Sequence, residues 1–151
     1  MSRPYAYLIS ALCGILTCAG LGTAASAADA APQEWWGTWV IERDLGASAV
    51  SALSSEQAQA LLGTSLSLTD RTSSPGSGAC ASPKFQVSQE SLEAITRKFR
   101  IQLPELQPMA PLSILEVSCE NEGYSLVRLD VKDVVLIYRG HVFLADKASG
   151  G

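Results

Sequence analysis

The sequence predicts an α+β fold: a mainly antiparallel curved sheet or small β-barrel with two short helices and one disulfide. Short runs that alternate bulky with small or polar side chains are typical of strands. Two segments carry helix-capping signals, and two cysteines are left once an N-terminal export segment is removed. We expect a single globular domain at residues 35–147, after a flexible leader at 28–34 and before a disordered tail at 148–151.

Residues 1–27 have the organisation of a secretory signal peptide. A short positive start containing Arg3 precedes an uncharged apolar run at 8–21. That run is shorter than the roughly 20 residues that a membrane-spanning helix needs. Small residues up to Ala27 suit a signal peptidase. We therefore expect cleavage after Ala27 and a periplasmic or secreted protein with no transmembrane segment in the mature chain.

An alternative is a lipoprotein anchored at Cys18. The residue before this cysteine is Thr17, whereas lipoprotein signals have a small Ala, Gly or Ser there, so the motif is incomplete. In that case the residues from Ala19 to Gln33 would form a tether.

The mature chain is acidic and long enough for one core. Its 124 residues carry ten Lys and Arg against fifteen Asp and Glu, a formal net charge of −5. A chain of this sign lacks the basic footprint that supplies nucleic-acid affinity, so we expect no nucleic acid among its partners. Anionic membrane surfaces are disfavoured for the same reason.

Cys80 and Cys119 are the two cysteines that follow the signal segment. Exported proteins fold in an oxidising compartment, where such a pair usually closes. Linking positions 39 apart would stabilise the fold by about 4 kcal/mol through the entropy of the unfolded chain. We expect a structural disulfide, since a redox pair would have a Cys-x-x-Cys spacing.

The first strand is predicted at residues 35–41. Alternation would place Trp35, Gly37, Trp39 and Ile41 on the core side and Trp36 on the other. A helix is predicted at 55–62, since Ser54 and Gln57 form a capping box and Gly63 suits a left-handed C-terminal residue.

The remaining chain predicts a second helix and a β-meander. Strands are expected at 66–68 and 84–87, and Ser88 would cap a helix that contains Leu92, Ile95 and Phe99. Four further strands at 112–119, 124–129, 134–139 and 142–145 are joined by tight turns. Their inward faces would include Ile114, Val117, Leu126, Leu129, Val135 and Ile137.

Gly37-Thr38-Trp39 resembles the Gly-x-Trp signature of lipocalins and related calycin barrels. In that family a late-strand arginine packs across the tryptophan ring, and Arg139 is the candidate here. The resemblance covers these few residues, and the early helix departs from the family pattern. It implies a non-enzymatic barrel that binds a small apolar ligand or caps another protein.

Catalytic and metal-binding patterns are sparse in the sequence. The single histidine, His141, falls at a predicted hairpin turn, where we expect it to be solvated. No nucleophile elbow, phosphate-binding loop or dinucleotide fingerprint occurs. We therefore expect no enzyme, no cofactor and no metal site. Oxygen donors for calcium do gather near one hairpin, without an EF-hand spacing, at Glu116, Glu120, Glu122, Asp130 and Asp133.

Three functional hypotheses follow. The first is an exported binding or inhibitory module of the cell envelope, acting through a periplasmic protein or a small apolar ligand, with Trp35, Trp36 and Tyr124 as contact candidates. The second is a structural envelope protein without a discrete ligand. The third is a hydrolase whose site the sequence does not reveal.

Overall fold

A computed structural model describes residues 31–70, 73–74, 80, 82–103, 110–120 and 122–148. The predicted signal peptide and most of the Ser- and Gly-rich loop before Cys80 lie outside the described residues. So do residues 104–109 and the end of the tail from 149 onward.

Seven antiparallel strands and one additional two-residue strand form a single curled half-barrel sheet, together with a 3-10 turn and two helices. The 3-10 turn is Gln33–Trp35. The helices are α1 (Ser55–Leu61) and α2 (Leu92–Phe99). The strands are β1 (Gly37–Ala47), β2 (Ser65–Leu68), β3 (Ser73–Ser74), β4 (Lys84–Glu90), β5 (Leu112–Ser118), β6 (Gly123–Arg128), β7 (Asp133–Tyr138) and β8 (His141–Lys147).

The order of strands in the sheet is β3-β2-β1-β8-β7-β6-β5-β4. β4 to β8 are consecutive neighbours, which confirms the meander, and β1 pairs with the last strand. The pairing of β1 with β8 is interrupted by two register shifts, at Ile41/Arg43 and Asp44/Gly46. Such bulges bend a strand and increase its twist, which fits the curl of the sheet.

Side chains are buried on both faces of the sheet. Trp39, Phe85 and Phe143 lie in a large cluster on one face, which we call the aromatic face. The opposite face, which we call the α2 face, is covered by Ile95 of α2 and by the segment that follows it. Because α2 lies on the other side, the aromatic face is covered within the described chain by the curl of the sheet, α1 and the 3-10 turn.

The six meander residues expected to point inward are instead divided between the two faces of the sheet. Val117 and Leu126 belong to the aromatic face. Ile114, Val135 and Ile137 belong to the α2 face, with Leu129 packed against it. Strands β5 to β7 have apolar runs such as Val134–Ile137, and a run without alternation is typical of a strand buried on both sides.

The two helices begin at serine caps. Ser54 and Gln57 form the predicted capping box of α1, and Gly63 has a φ of +78°. α2 begins three residues later than predicted: Ser91 accepts a hydrogen bond from the Ala94 amide, whereas Ser88 lies within β4. Pairing of β4 with β5 continues to Glu90 opposite Leu112, which keeps Ser88 extended.

The disulfide prediction is confirmed, since Cys80 and Cys119 are bonded with Cα atoms 5.9 Å apart. Two residues that flank the predicted domain contact it. Ala31, assigned to the leader, is buried, and the Ala148 amide, at the start of the predicted tail, donates to the Thr38 carbonyl at 2.8 Å. No helix among the described residues has the length and hydrophobicity needed to cross a bilayer.

Candidate interaction surface

The segment before β1 places two adjacent tryptophans in opposite environments. Pro32 opens the 3-10 turn, and the Trp35 amide donates to its carbonyl at 2.9 Å. The Trp35 ring is fully buried in the aromatic face, whereas Trp36 is 37% exposed. The indole Nε1 of Trp36 donates to the Ala31 carbonyl at 2.9 Å. Trp36 is therefore a large aromatic side chain held in a fixed position at the surface.

A basic side chain lies over each of the two buried tryptophan rings. The Arg128 guanidinium is 4.6 Å from the centre of the Trp35 ring, and the Lys147 ammonium is 5.3 Å from that of Trp39. Arg128 also donates to the Glu34 carbonyl and lies 3.8 Å from the Glu34 carboxylate. The Arg128 contact joins the 3-10 turn to the end of β6, and the Lys147 contact joins the end of β8 to Trp39 of β1.

Lys147 also explains the glycine in Gly37-Thr38-Trp39. A Cβ at Gly37 would lie 2.9 Å from Cε of Lys147, and the φ of this residue is +139°. Gly37 thus leaves room for the lysine to cross the strand to Trp39.

Arg139, the arginine expected to pack across Trp39, instead lies 5.3 Å from the Tyr138 ring and pairs with Glu122 at 2.9 Å, so that expectation was wrong. β7 ends at Tyr138, and the turn that follows lies at the other end of the sheet from Trp39.

The turn between β6 and β7 lies at the same end of the sheet as Trp36. It begins directly after Arg128, and its tip residue Val131 is 75% exposed. Asp130 holds the turn in shape, because its carboxylate accepts from the amides of Lys132 and Asp133 at 2.6 and 2.9 Å. These backbone hydrogen bonds lower the pKa of Asp130. We call the residues Glu34, Trp36, Arg128, Val131 and Lys132 the Trp36 surface.

Of the three predicted contact residues, Trp36 alone is exposed. Trp35 is fully buried and Tyr124 is 4% exposed within β6, opposite Val117 and Tyr138. A partner could reach neither of these side chains without opening the aromatic face. The contact hypothesis therefore narrows to Trp36.

His141 is buried, contrary to the expectation of a solvated turn residue. It is 5% exposed, it opens β8 and its ring stacks on Phe143 with centroids 5.9 Å apart. Nε2 lies 3.3 Å from the Leu53 carbonyl and Nδ1 lies 3.6 Å from the Asp44 carboxylate. A hydrogen bond to this carbonyl requires the tautomer in which Nε2 carries the proton, because a carbonyl can only accept. These two contacts of the His141 ring join β8 to β1, through Asp44, and to the loop before α1, through Leu53.

The carboxylates considered for calcium are dispersed. Glu116 pairs with Lys98, whereas Glu122 bonds Arg139 and, at 3.0 Å, the Tyr138 hydroxyl. Burial and the Glu122 hydrogen bond raise the pKa of Tyr138. Asp133 faces Asp146. Burial of the Asp133 carboxyl is the main cause that raises its pKa, and the hydrogen bond to Asp146 raises it further. In the described part of the chain, no three His, Cys, Asp or Glu side chains are grouped to hold a metal ion.

Two surface depressions lie outside the aromatic face. One, of about 530 Å³, is lined by Arg97, Arg100 and Leu103 at the end of α2. The other, of about 370 Å³, lies beside Phe99, Ser125 and Ile137. Both are open to solvent, and neither resembles the enclosed apolar pocket of a small-ligand carrier.

Comparison with known proteins gives no detectable relationship: no family model, curated protein or solved structure matches this chain. No pattern in the sequence indicated a role for Arg128, Lys147 or Asp44. Each contacts its tryptophan or histidine across a long separation in sequence, which local spacing does not encode.

Proposed function

We propose that this protein is an exported, non-enzymatic binding or inhibitory module that engages a protein partner through the Trp36 surface. The observation that carries the proposal is the position of Trp36, which stays 37% exposed beside two fully buried tryptophans. Aromatic side chains in fixed surface positions are enriched among residues that dominate protein interfaces. Glu34 and Lys132 are exposed charged side chains at the same end of the sheet, and such residues are typical of the polar rim of an interface.

A protein partner fits better than a small apolar ligand. The side chains that would line a ligand chamber are packed against one another: Trp35, Trp39 and Phe143 are each fully buried in one cluster. The lipocalin-like resemblance of Gly37-Thr38-Trp39 allowed either a ligand carrier or a cap on another protein. Its tryptophan does lie under a basic side chain, Lys147, and the filled interior favours the second role.

The cellular location of the protein is part of the same proposal. A disulfide between Cys80 and Cys119 fits an extracellular or periplasmic protein. We propose export by the signal segment at 1–27 with cleavage after Ala27. A lipid anchor at Cys18 is the alternative, and it would tether the Trp36 surface, which lies close to the N-terminus, near the membrane.

The arrangement around His141 favours a structural role over the hydrolase alternative. A general base needs one ring nitrogen free to face a substrate or a nucleophile. Here Nε2 faces the Leu53 carbonyl and Nδ1 faces Asp44, and the ring is 5% exposed.

Capture from an envelope extract tests the proposal. The purified chain beginning at Ala28 is immobilised and the bound proteins are identified, alongside Trp36→Ala and the control Val50→Ala. Val50 is 72% exposed in the loop before α1, far from the Trp36 surface. We expect a partner that the wild type and Val50→Ala retain equally and that Trp36→Ala loses by tenfold or more, as expected for an interface anchor.

Two outcomes would contradict the proposal. Equal capture by Trp36→Ala would place the binding surface elsewhere. Capture of no specific protein would favour the structural envelope role.

A further inference from the structure

The two edges of the sheet differ in length and chemistry. β3, at one edge, has two residues, whereas β4, at the other, has seven and pairs among the described residues with β5 alone. The outer side of an edge strand presents backbone amides and carbonyls that a further strand can bind. α2 does not lie across this edge, because its buried residue Ile95 packs with Ile114 and Val127 on the α2 face.

β4 is self-complementary when two copies are aligned antiparallel about Val87. Lys84 then lies opposite Glu90, Phe85 opposite Gln89, and Gln86 opposite Ser88. This register joins residues of the same parity, so each side chain continues onto the same face of the combined sheet. Phe85 and Val87 stay on the aromatic face, and Lys84 and Glu90 stay on the α2 face.

The charges at the two ends of β4 are unbalanced within one molecule. Lys84 is exposed and has no ion pair among the described residues. At the other end, the single ammonium of Lys98 is shared between Glu90, at 3.1 Å, and Glu116. The Lys84 end of β4 therefore carries an unpaired cation, and the Glu90 end carries an excess carboxylate. A two-fold axis through Val87 places Lys84 of each copy opposite Glu90 of the other, so this contact forms twice.

We infer that the β4 edge is a homodimer interface, in which a second copy of this chain adds its β4 antiparallel to the first. A lysine on an edge strand usually discourages pairing with other strands. Here Lys84 instead favours pairing with a second copy. It lies opposite Glu90 in the self-pairing register, whereas in most other registers no carboxylate lies opposite it. The interface is isologous, as a closed two-fold dimer requires.

A charge-swap experiment with the chain beginning at Ala28 tests the inference. Sedimentation over a range of concentrations measures the dimer dissociation constant of the wild type, Lys84→Glu, Glu90→Lys and an equimolar mixture of the two variants. Each variant alone opposes like charges at both ends of the paired strands, and we expect its dimer to be about tenfold weaker. In the mixture both contacts become complementary again, so a heterodimer of nearly wild-type affinity should form.

Arg97→Glu is the matched control, because it makes the same charge change on the exposed side of α2. It should leave the dissociation constant unchanged. If the variants lost dimerisation because they misfold, mixing them would not restore it, so recovery of the dimer in the mixture shows that charge pairing is the cause. Circular dichroism of each variant checks its fold. A monomeric wild type at all concentrations, or variants that dimerise as the wild type does, would overturn it.

Discussion

Individual tryptophans show how a residue's role depends on its immediate neighbours. Trp39 is buried because β1 directs it into the aromatic face, where its Nε1 donates to the Trp35 carbonyl at 3.2 Å. The predicted contrast between Trp35 and Trp36 is confirmed, although β1 starts at Gly37 and Trp35 belongs to the 3-10 turn. The turn, and not strand alternation, orients this pair.

Truncation of Trp39 should destabilise the protein far more than truncation of Trp36. Trp39→Ala removes a fully buried ring and leaves Lys147 without its aromatic contact, so we expect a loss of about 3–5 kcal/mol in unfolding free energy. Trp36→Ala should lower the unfolding free energy by about 1 kcal/mol, the contribution of its hydrogen bond to the Ala31 carbonyl. Urea unfolding followed by circular dichroism measures both. Equal losses would show that Trp36 is as much a part of the core as Trp39.

At the scale of an element, the start of α2 was settled by the neighbouring strand. Ser88 and Ser91 are both followed by residues that could begin a helix, and the sequence does not distinguish them. β5 pairs with β4 as far as Glu90, so the chain is extended until Ser91. The helix ends at Phe99 and its C-cap residue Arg100 has a φ of +54°, while the cations Arg97 and Lys98 occupy its last turn.

A pair of serine variants tests this assignment. Ser91→Ala removes the acceptor for the Ala94 amide and should lower the unfolding free energy by about 1 kcal/mol. Ser88→Ala is the matched control, since the Ser88 hydroxyl bonds the Glu90 side chain at 3.3 Å and caps no helix. It should change stability by less than about 0.5 kcal/mol. Chemical denaturation compares the two, and a larger effect at Ser88 would restore the cap predicted from sequence.

For the molecule as a whole, the disulfide joins the start of β4 to the end of β5. Cys119 directly follows β5, and Cys80 precedes β4 by four residues. These strands lie at the edge of the sheet, where one flanking strand instead of two holds β4 in place. The bond therefore constrains the part of the sheet that has the fewest neighbours.

Removing the disulfide should cost about 4 kcal/mol, the entropy of a closed loop of this length. The comparison is between the wild type and the variant in which Cys80 and Cys119 are both alanine, each unfolded by urea with and without reductant. Reductant should destabilise the wild type to the level of the variant and leave the variant unchanged. A wild type whose stability does not respond to reductant would contradict a stabilising disulfide.

The sequence by itself determined the features that depend on nearby residues or on composition. The capping box at Ser54 and Gln57, the four meander strands and the pairing of Cys80 with Cys119 were all predictable. Each rests on a spacing of a few residues, on alternation along one strand, or on the number of cysteines available.

Tertiary structure decided which side chains meet across the sheet. His141 is buried because it contacts Leu53, 88 positions away, and Arg128 reaches Glu34 across 94 positions. The sheet is covered on both faces because α2 packs on one and the curl closes over the other. Such contacts depend on which strands become neighbours and how strongly the sheet bends, and these are properties of the assembled chain that no local pattern records.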